Sequence, residues 1–112
     1  MASIARKAGD SRNERILRAL AEPNRQAILR LVRDRPHSVG EIQDHFRISQ
    51  QAVSQHLQVL AEAGLVEARA DGQRRLYVID QKGLEALDAF LAQLWPGGLR
   101  RLKSAIEDKR GR

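Results

Sequence analysis

Apolar residues recur along this chain at two spacings, three-to-four and two, and the switches between them mark its elements. Ile16, Leu17 and Leu20 stand at helical spacing, with Ser11 or Asn13 placed to cap the helix that carries them. Pro23 ends that helix because it has no N–H to donate. The same residue suits the first turn of a second helix bearing Ile28, Leu31 and Val32. "DRPHS" (34–38) closes the second helix. Ser38, with Glu41 three residues on, makes a capping-box pattern for a short third helix, "VGEIQDHF" (39–46). "RIS" is a tight connection, and Ser49 caps a fourth helix that Gly64 stops. Two alternating runs follow, roughly 66–70 and 74–79, around "DG" (71–72). That pair favours a type I′ turn, in which both central residues take positive φ. From Lys82 the helical period returns through Leu84, Leu87, Leu91 and Leu94. "WPGG" (95–98) interrupts it, and Leu99, Leu102 and Ile106 resume it.

The fourth helix divides sharply. At 100° per residue, Ala52, Val53, His56, Leu57, Val59, Leu60 and Ala63 fall in one arc, and Gln50, Gln51, Ser54, Gln55, Gln58 and Glu62 in the opposite one. Residues 49–66 hold no Lys or Arg and one acid, Glu62. Two short helices joined by a tight turn, the second with an uncharged polar face, and then a basic hairpin predict a mainly α fold with a β-hairpin wing: a winged helix-turn-helix. The expected organisation is a disordered basic tail over 1–11, the winged domain with its dimerisation helices over 12–95, and a helical basic tail over 96–112.

Charge refines this picture. The chain has 112 residues, which fits one domain, and a formal net charge of +6. The excess lies at the ends: residues 1–18 carry five basic and two acidic side chains, residues 100–112 six and two, and residues 19–99 nine and ten. Basic ends alone are compatible with plain solubility. The middle carries the case for nucleic acid. Gln offers a donor and an acceptor on one planar group, matching adenine N6 and N7 in the major groove, while Arg and Lys chiefly serve phosphates. The expected DNA contacts are therefore Ser49, Gln50, Gln51, Ser54, Gln55 and Gln58 for base edges, with Arg69, Arg74 and Arg75 on the wing for the backbone or minor groove. The alternative is a winged-helix module that binds protein, its glutamine face merely solvated.

Other classes find little support. Cysteine is absent, which excludes disulfides, thiolate metal sites and thiol redox chemistry. No apolar run reaches the length of a membrane span, and the N-terminus lacks the apolar stretch of a secretory signal, so a cytoplasmic location is expected. No glycine-rich phosphate loop follows a strand, and Ser54 and His56 point to opposite arcs of one helix, so no nucleophile–base pair arises. His37, His45 and His56 lie 8 and 11 residues apart, which is not a ligand spacing. His56, inside the apolar arc, reads as a packing residue.

The stretches "LRALAEPNRQAILRLV" (17–32) and "SVGEIQDHFRISQQAVSQHLQVLAEAGLVEARADGQRRLYVID" (38–80), with the leucine-rich helix after them, resemble the ArsR/SmtB family of bacterial repressors over about residues 14–95. The resemblance implies a homodimer on double-stranded operator DNA, with the fourth helix in the major groove. Gln50, Gln51, Ser54, Gln55 and Gln58 would face the groove, and Arg74 and Arg75 would be wing contacts. The chain departs from the metal-sensing members. Ser38 and Gly40 stand where thiolates of a third-helix site would fall. No histidine follows His56 to join Glu85 and Asp88 in a C-terminal site. The implied relatives are the metal-free, constitutive or self-regulating repressors, needing no cofactor and answering to no metal effector. Two-fold pairing sets two recognition helices one DNA turn apart. The surface expected to provide it is an apolar edge of Ile16, Leu17 and Leu20 with a stripe of Leu84, Leu87, Leu91, Leu94 and Trp95.

Overall fold

The computed structural model describes residues 8–95 and 104–108. Its elements are α1 (Ala8–Leu20), α2 (Pro23–Asp34), α3 (Val39–Gln43), α4 (Gln50–Glu62), β1 (Val66–Asp71), β2 (Arg74–Ile79) and α5 (Gln81–Leu94). Residues 104–108 are also helical, and Ile106 is exposed. The expectations for the first seven residues, for Leu99 and Leu102, and for the last four residues lie outside the described residues. Among the described residues no helix is long and apolar enough to cross a membrane.

Caps fix most helix ends where the sequence placed them, with corrections. Helix α1 already includes Ala8, so neither Ser11 nor Asn13 starts it, and residues 8–11 of the stretch expected to be disordered are helical. Glu22 is the N-cap of α2, its carboxylate accepting from Asn24 N at 3.1 Å, with Pro23 at the first helical position. The start of α2 also closes the end of α1. Arg25 Nε donates to Ala19 O and its Nη2 to Arg18 O, both at 2.9 Å, and Gln26 Nε2 donates to Leu20 O. Carbonyls at a helix end lack the partner four residues on, and of these three Arg18 O also accepts from Ala21 N at 3.2 Å. The capping box of α3 forms in both directions: Glu41 N donates to Ser38 Oγ at 3.2 Å, and Ser38 N to Glu41 Oε1 at 2.9 Å. Helix α3 stops at Gln43, short of the predicted Phe46. The chain turns there, and Phe46 and Ile48 pack on the core instead. Ser49 Oγ accepts from Ala52 N at 3.0 Å and opens α4. At its other end Gly64 takes φ +78°, and Gly64 N and Leu65 N donate back to Ala61 O and Leu60 O, each at 2.9 Å. A left-handed residue in this double-bonded stop is what glycine permits without strain.

The hairpin pairs Val66 with Ile79 and Asp71 with Arg74. Strand β1 thus runs one residue beyond the predicted 66–70, and the two-residue loop is Gly72–Gln73 rather than Asp71–Gly72. Gly72 has φ +63°, and no other described residue in the turn has positive φ. Positive φ at the first central position alone belongs to a type II′ turn, not the expected type I′. On the far edge of β2, His37 pairs with Tyr77: His37 N donates to Tyr77 O at 3.2 Å, and Tyr77 N to His37 O at 2.7 Å. This single bridge outside the two-stranded sheet ties the wing to the start of α3.

The core is Ile16 and Ala19 of α1, Ile28 and Val32 of α2, Ile42 of α3, Val53, Leu57 and Leu60 of α4, and Ala63, Leu65 and Val66 just after it. Burying each large aliphatic side chain stabilises the fold by about 1.5–3 kcal/mol. Ile16 is 1% exposed and belongs wholly to this core, so it is not the interface residue the sequence suggested. Leu20 and Leu87 are half-buried against the same core. Leu17, its sequence neighbour, stays 46% exposed. Their shared helical spacing could not distinguish them, because the packed face depends on where α2 and α4 lie.

Helix α5 leaves the hairpin through Asp80, which caps it by accepting from Lys82 N at 3.0 Å. Its Gly83 is buried against the turn after α4. A Cβ there would overlap the Gly64 carbonyl oxygen and lie 2.6 Å from its carbon. The obstruction is backbone, which cannot move aside as a side chain does. Alanine is the better helix former by about 1 kcal/mol, yet overpacking costs typically about 1–3 kcal/mol, and more where backbone must shift. Gly83→Ala is therefore expected to lower the thermal unfolding midpoint, followed by circular dichroism. A rise in the midpoint would show that α5 does not dock on this turn.

Candidate nucleic-acid interface

Burial of one arc of α4 leaves Gln50, Gln51, Ser54, Gln55 and Gln58 exposed on the other. Gln50, Gln51, Ser54 and Gln55 make no side-chain hydrogen bond to any described residue, so their donors and acceptors are available to a partner. Gln58 differs. Its Nε2 donates to Glu62 Oε2 at 3.3 Å, one turn farther from the helix start and beside an acid. Ser49 also differs, because its oxygen is engaged as the cap and chiefly its hydroxyl proton remains to offer. The predicted face is thus four unpaired side chains with two partly occupied ones at its ends.

The wing arginines do not form a uniform set. Residues directly opposed in an antiparallel pair share a face. The register puts Glu67, Arg69, Asp71, Arg74, Leu76 and Val78 on one face, and Arg75 on the other with Tyr77 and Ile79. Arg69 Nε donates to Glu67 Oε1 at 3.0 Å. Arg74 Nη2 lies 3.2 Å from Glu41 Oε1, pinning the outer wing to α3. Arg35 Nη1 approaches the other oxygen of Glu41 at 3.9 Å. Arg75 is exposed and has no ion pair among the described residues, which leaves its charge fully available. Sequence reasoning missed Glu41 and His37 as anchors of the wing. The capping box was legible; the strand that would come to lie beside it was not.

His56 is a second correction. It is half-buried, as expected of the apolar arc, but it is not simple packing: its ring lies between Glu22 and Arg25. Among the described residues no three His, Asp or Glu side chains gather as a metal site would require.

Glu41 is held ionised below the ordinary glutamate value of 4.5. The Ser38 N–H bonded to its carboxylate is the main cause, followed by the charges of Arg74, Arg35 and His37, against some desolvation. A carboxylate with a depressed folded-state pKa stabilises the fold above its unfolded value and loses that contribution as pH falls through the folded one. Glu41→Gln keeps an acceptor for the cap and removes the charge. The wild type should therefore exceed this variant in thermal midpoint near neutral pH, with the gap closing as pH drops below about 4.5. A gap that stays constant into acid would remove charge as its source.

The sequence matches the helix-turn-helix domain family over residues 15–69. It is 38% identical over 96 residues to the HTH-type transcriptional regulator Rv2034 of Mycobacterium tuberculosis, covering 86% of this chain and 90% of the relative. Its fold is similar to that of HlyU from Vibrio cholerae, with a TM-score of 0.62, 31% identity, and coverage of 80% of this chain and 98% of the other. It is also similar to the homodimeric winged helix-turn-helix DNA-binding domain of Mb0332 from Mycobacterium bovis, a possible ArsR-family regulator. There the TM-score is 0.63 and the identity 26%, over 88% of this chain and 94% of the other. The mainly helical frame, the two-stranded wing and these relatives agree: the chain belongs to the ArsR family of winged helix-turn-helix transcriptional regulators.

Proposed function

We propose that this regulator is a homodimeric repressor that reads the major groove with α4 and grips the DNA backbone with its wing. The observation that carries this reading is the exposed, uncharged face of Gln50, Gln51, Ser54 and Gln55, whose hydrogen-bonding groups have no side-chain partner among the described residues. Groups of this kind on the first turns of a recognition helix meet base edges, and an amide can pair with adenine in two places at once. Affinity comes from elsewhere, chiefly Arg75, since Arg74 and Arg69 are each engaged by a carboxylate.

Specificity and affinity therefore separate by mutation. On a duplex selected from a random pool, Gln55→Ala or Gln51→Ala should cost roughly 1–3 kcal/mol, and much less on unselected DNA. Arg75→Ala should weaken binding to both and reduce the slope of log affinity against log salt by about one unit, with Arg74→Ala changing the slope less. Equal losses on both duplexes for the glutamine variants would contradict base readout.

Dimerisation is proposed through the outer faces of α1 and α5. Leu17, Leu84, Leu94 and Trp95 remain exposed, the last two by 66% and 57%, and Leu91 lies half-buried among them. Ile16, Leu20 and Leu87 serve the core and are left out of this surface. The homodimer formed by the Mycobacterium bovis relative supports the reading. Leu94→Glu should give a folded monomer by light scattering, with weakened binding to the selected duplex. A variant that remains dimeric would move the interface elsewhere.

No metal effector is proposed. The chain has no cysteine, and the third-helix positions that would carry thiolates are Ser38 and Gly40, Ser38 being engaged in the capping box. Stoichiometric zinc, cadmium or arsenite should leave duplex affinity unchanged. Saturable release of DNA by any of them would overturn this.

A further inference from the structure

Glu22 Oε2 is a buried carboxylate oxygen with no hydrogen-bond partner among the described residues. Its sister oxygen is engaged by Asn24 N at the start of α2. His56 Nε2, from the inner side of α4, stands 3.5 Å from the unpartnered atom. The other ring nitrogen, Nδ1, lies 3.4 Å from Arg25 Nη1. A guanidinium can only donate, so Nδ1 must be the acceptor, and the proton of the neutral ring then sits on Nε2, facing Glu22. Arg25 cannot turn away freely, because its Nε and Nη2 are bonded to the last carbonyls of α1.

Resting on the DNA-reading role above, we propose that His56 is a positioning residue for base readout. Its neutral ring accepts from Arg25 and donates toward Glu22, and so fixes the rotation of α4 about its own axis against the α1–α2 joint. The neighbouring Ser54 and Gln55 point outward, and Gln51 lies about one turn earlier. A rotation of α4 that released His56 would swing all three away from their bases, while the apolar contacts of Val53, Leu57 and Leu60 tolerate such slippage better than hydrogen bonds do.

Glu22 and Arg25 face the ring from α2. From α1 the contacts in this network are the Arg18 and Ala19 carbonyls, the Arg18 guanidinium being 3.6 Å from Glu14. Within α4 the residues three and four away are Ala52, Val53, Val59 and Leu60, all uncharged. Glutamine offers the same acceptor and donor as this tautomer of the ring. Leucine offers neither.

The test uses the full chain and a duplex selected from a random pool by the wild type near pH 8. His56→Gln should bind it nearly as the wild type does, and His56→Leu about tenfold more weakly, the loss of one buried hydrogen-bonding group. A nitrogen-15 spectrum of the free wild type should show Nε2 protonated and Nδ1 bare. An Nδ1–H tautomer, wild-type binding by His56→Leu, or a loss in His56→Gln as large as that in His56→Leu would each overturn the proposal. If the wild type selects no duplex, the DNA reading fails instead, and the tautomer alone decides whether the Arg25–His56–Glu22 tie exists.

Discussion

Val53, Leu57 and Leu60 occupy one side of α4 at four- and three-residue steps and are withdrawn almost wholly from water. Side chains at those spacings share a face, so the burial that holds the helix also decides what it shows. Ile16, Ile28 and Ile42 come to that face from three other helices, and Leu65 and Val66 continue it into the wing. Without this contact α3 is a single turn with no independent stability, and the hairpin is two strands, marginal by themselves.

Apolar burial is strong but not directional. Polar ties at element ends supply orientation. Arg25 reaches from α2 to carbonyls of the last turn of α1 and on to His56 of α4. Glu41 closes the cap of α3 and holds Arg74 of the wing with the same oxygen. His37 and Tyr77 exchange two backbone hydrogen bonds beside it. The ion pairs among these stand close to solvent, which screens them. Their weight lies in geometry, since they fix how α4, the turn before it and the wing lie against one another.

The proposed division of labour between α4 and the wing follows from the same economy of charge. A face that must discriminate bases benefits from neutral groups with both donors and acceptors, whereas attraction to phosphate needs only charge in roughly the right place. Carboxylates beside Arg69 and Arg74 reduce what those residues give to general attraction, and Arg75 on the opposite face of the wing has no ion pair among the described residues.

What the sequence by itself determined is what depends on near neighbours. The helical periods, the caps at Ser38 and Ser49, the glycine stop at Gly64, the hairpin and the two arcs of α4 are all set within a few residues, by spacing and by cap chemistry. The family resemblance rests on those same stretches. Tertiary structure decided whatever depends on the element lying across the way. Ile16 and Leu17 have the same apolar character, yet one is core and the other faces water, because α2 and α4 cover only one side of α1. Arg74 and Arg75 read alike until Glu41 stands opposite one of them. His56 passes for packing until Glu22 and Arg25 meet its ring. Gly83 looks like a flaw in a helix until the backbone of Gly64 is found where its side chain would be. Local order is written in intervals along the chain; the partner of each side chain is written only in the distances between elements that those intervals do not contain.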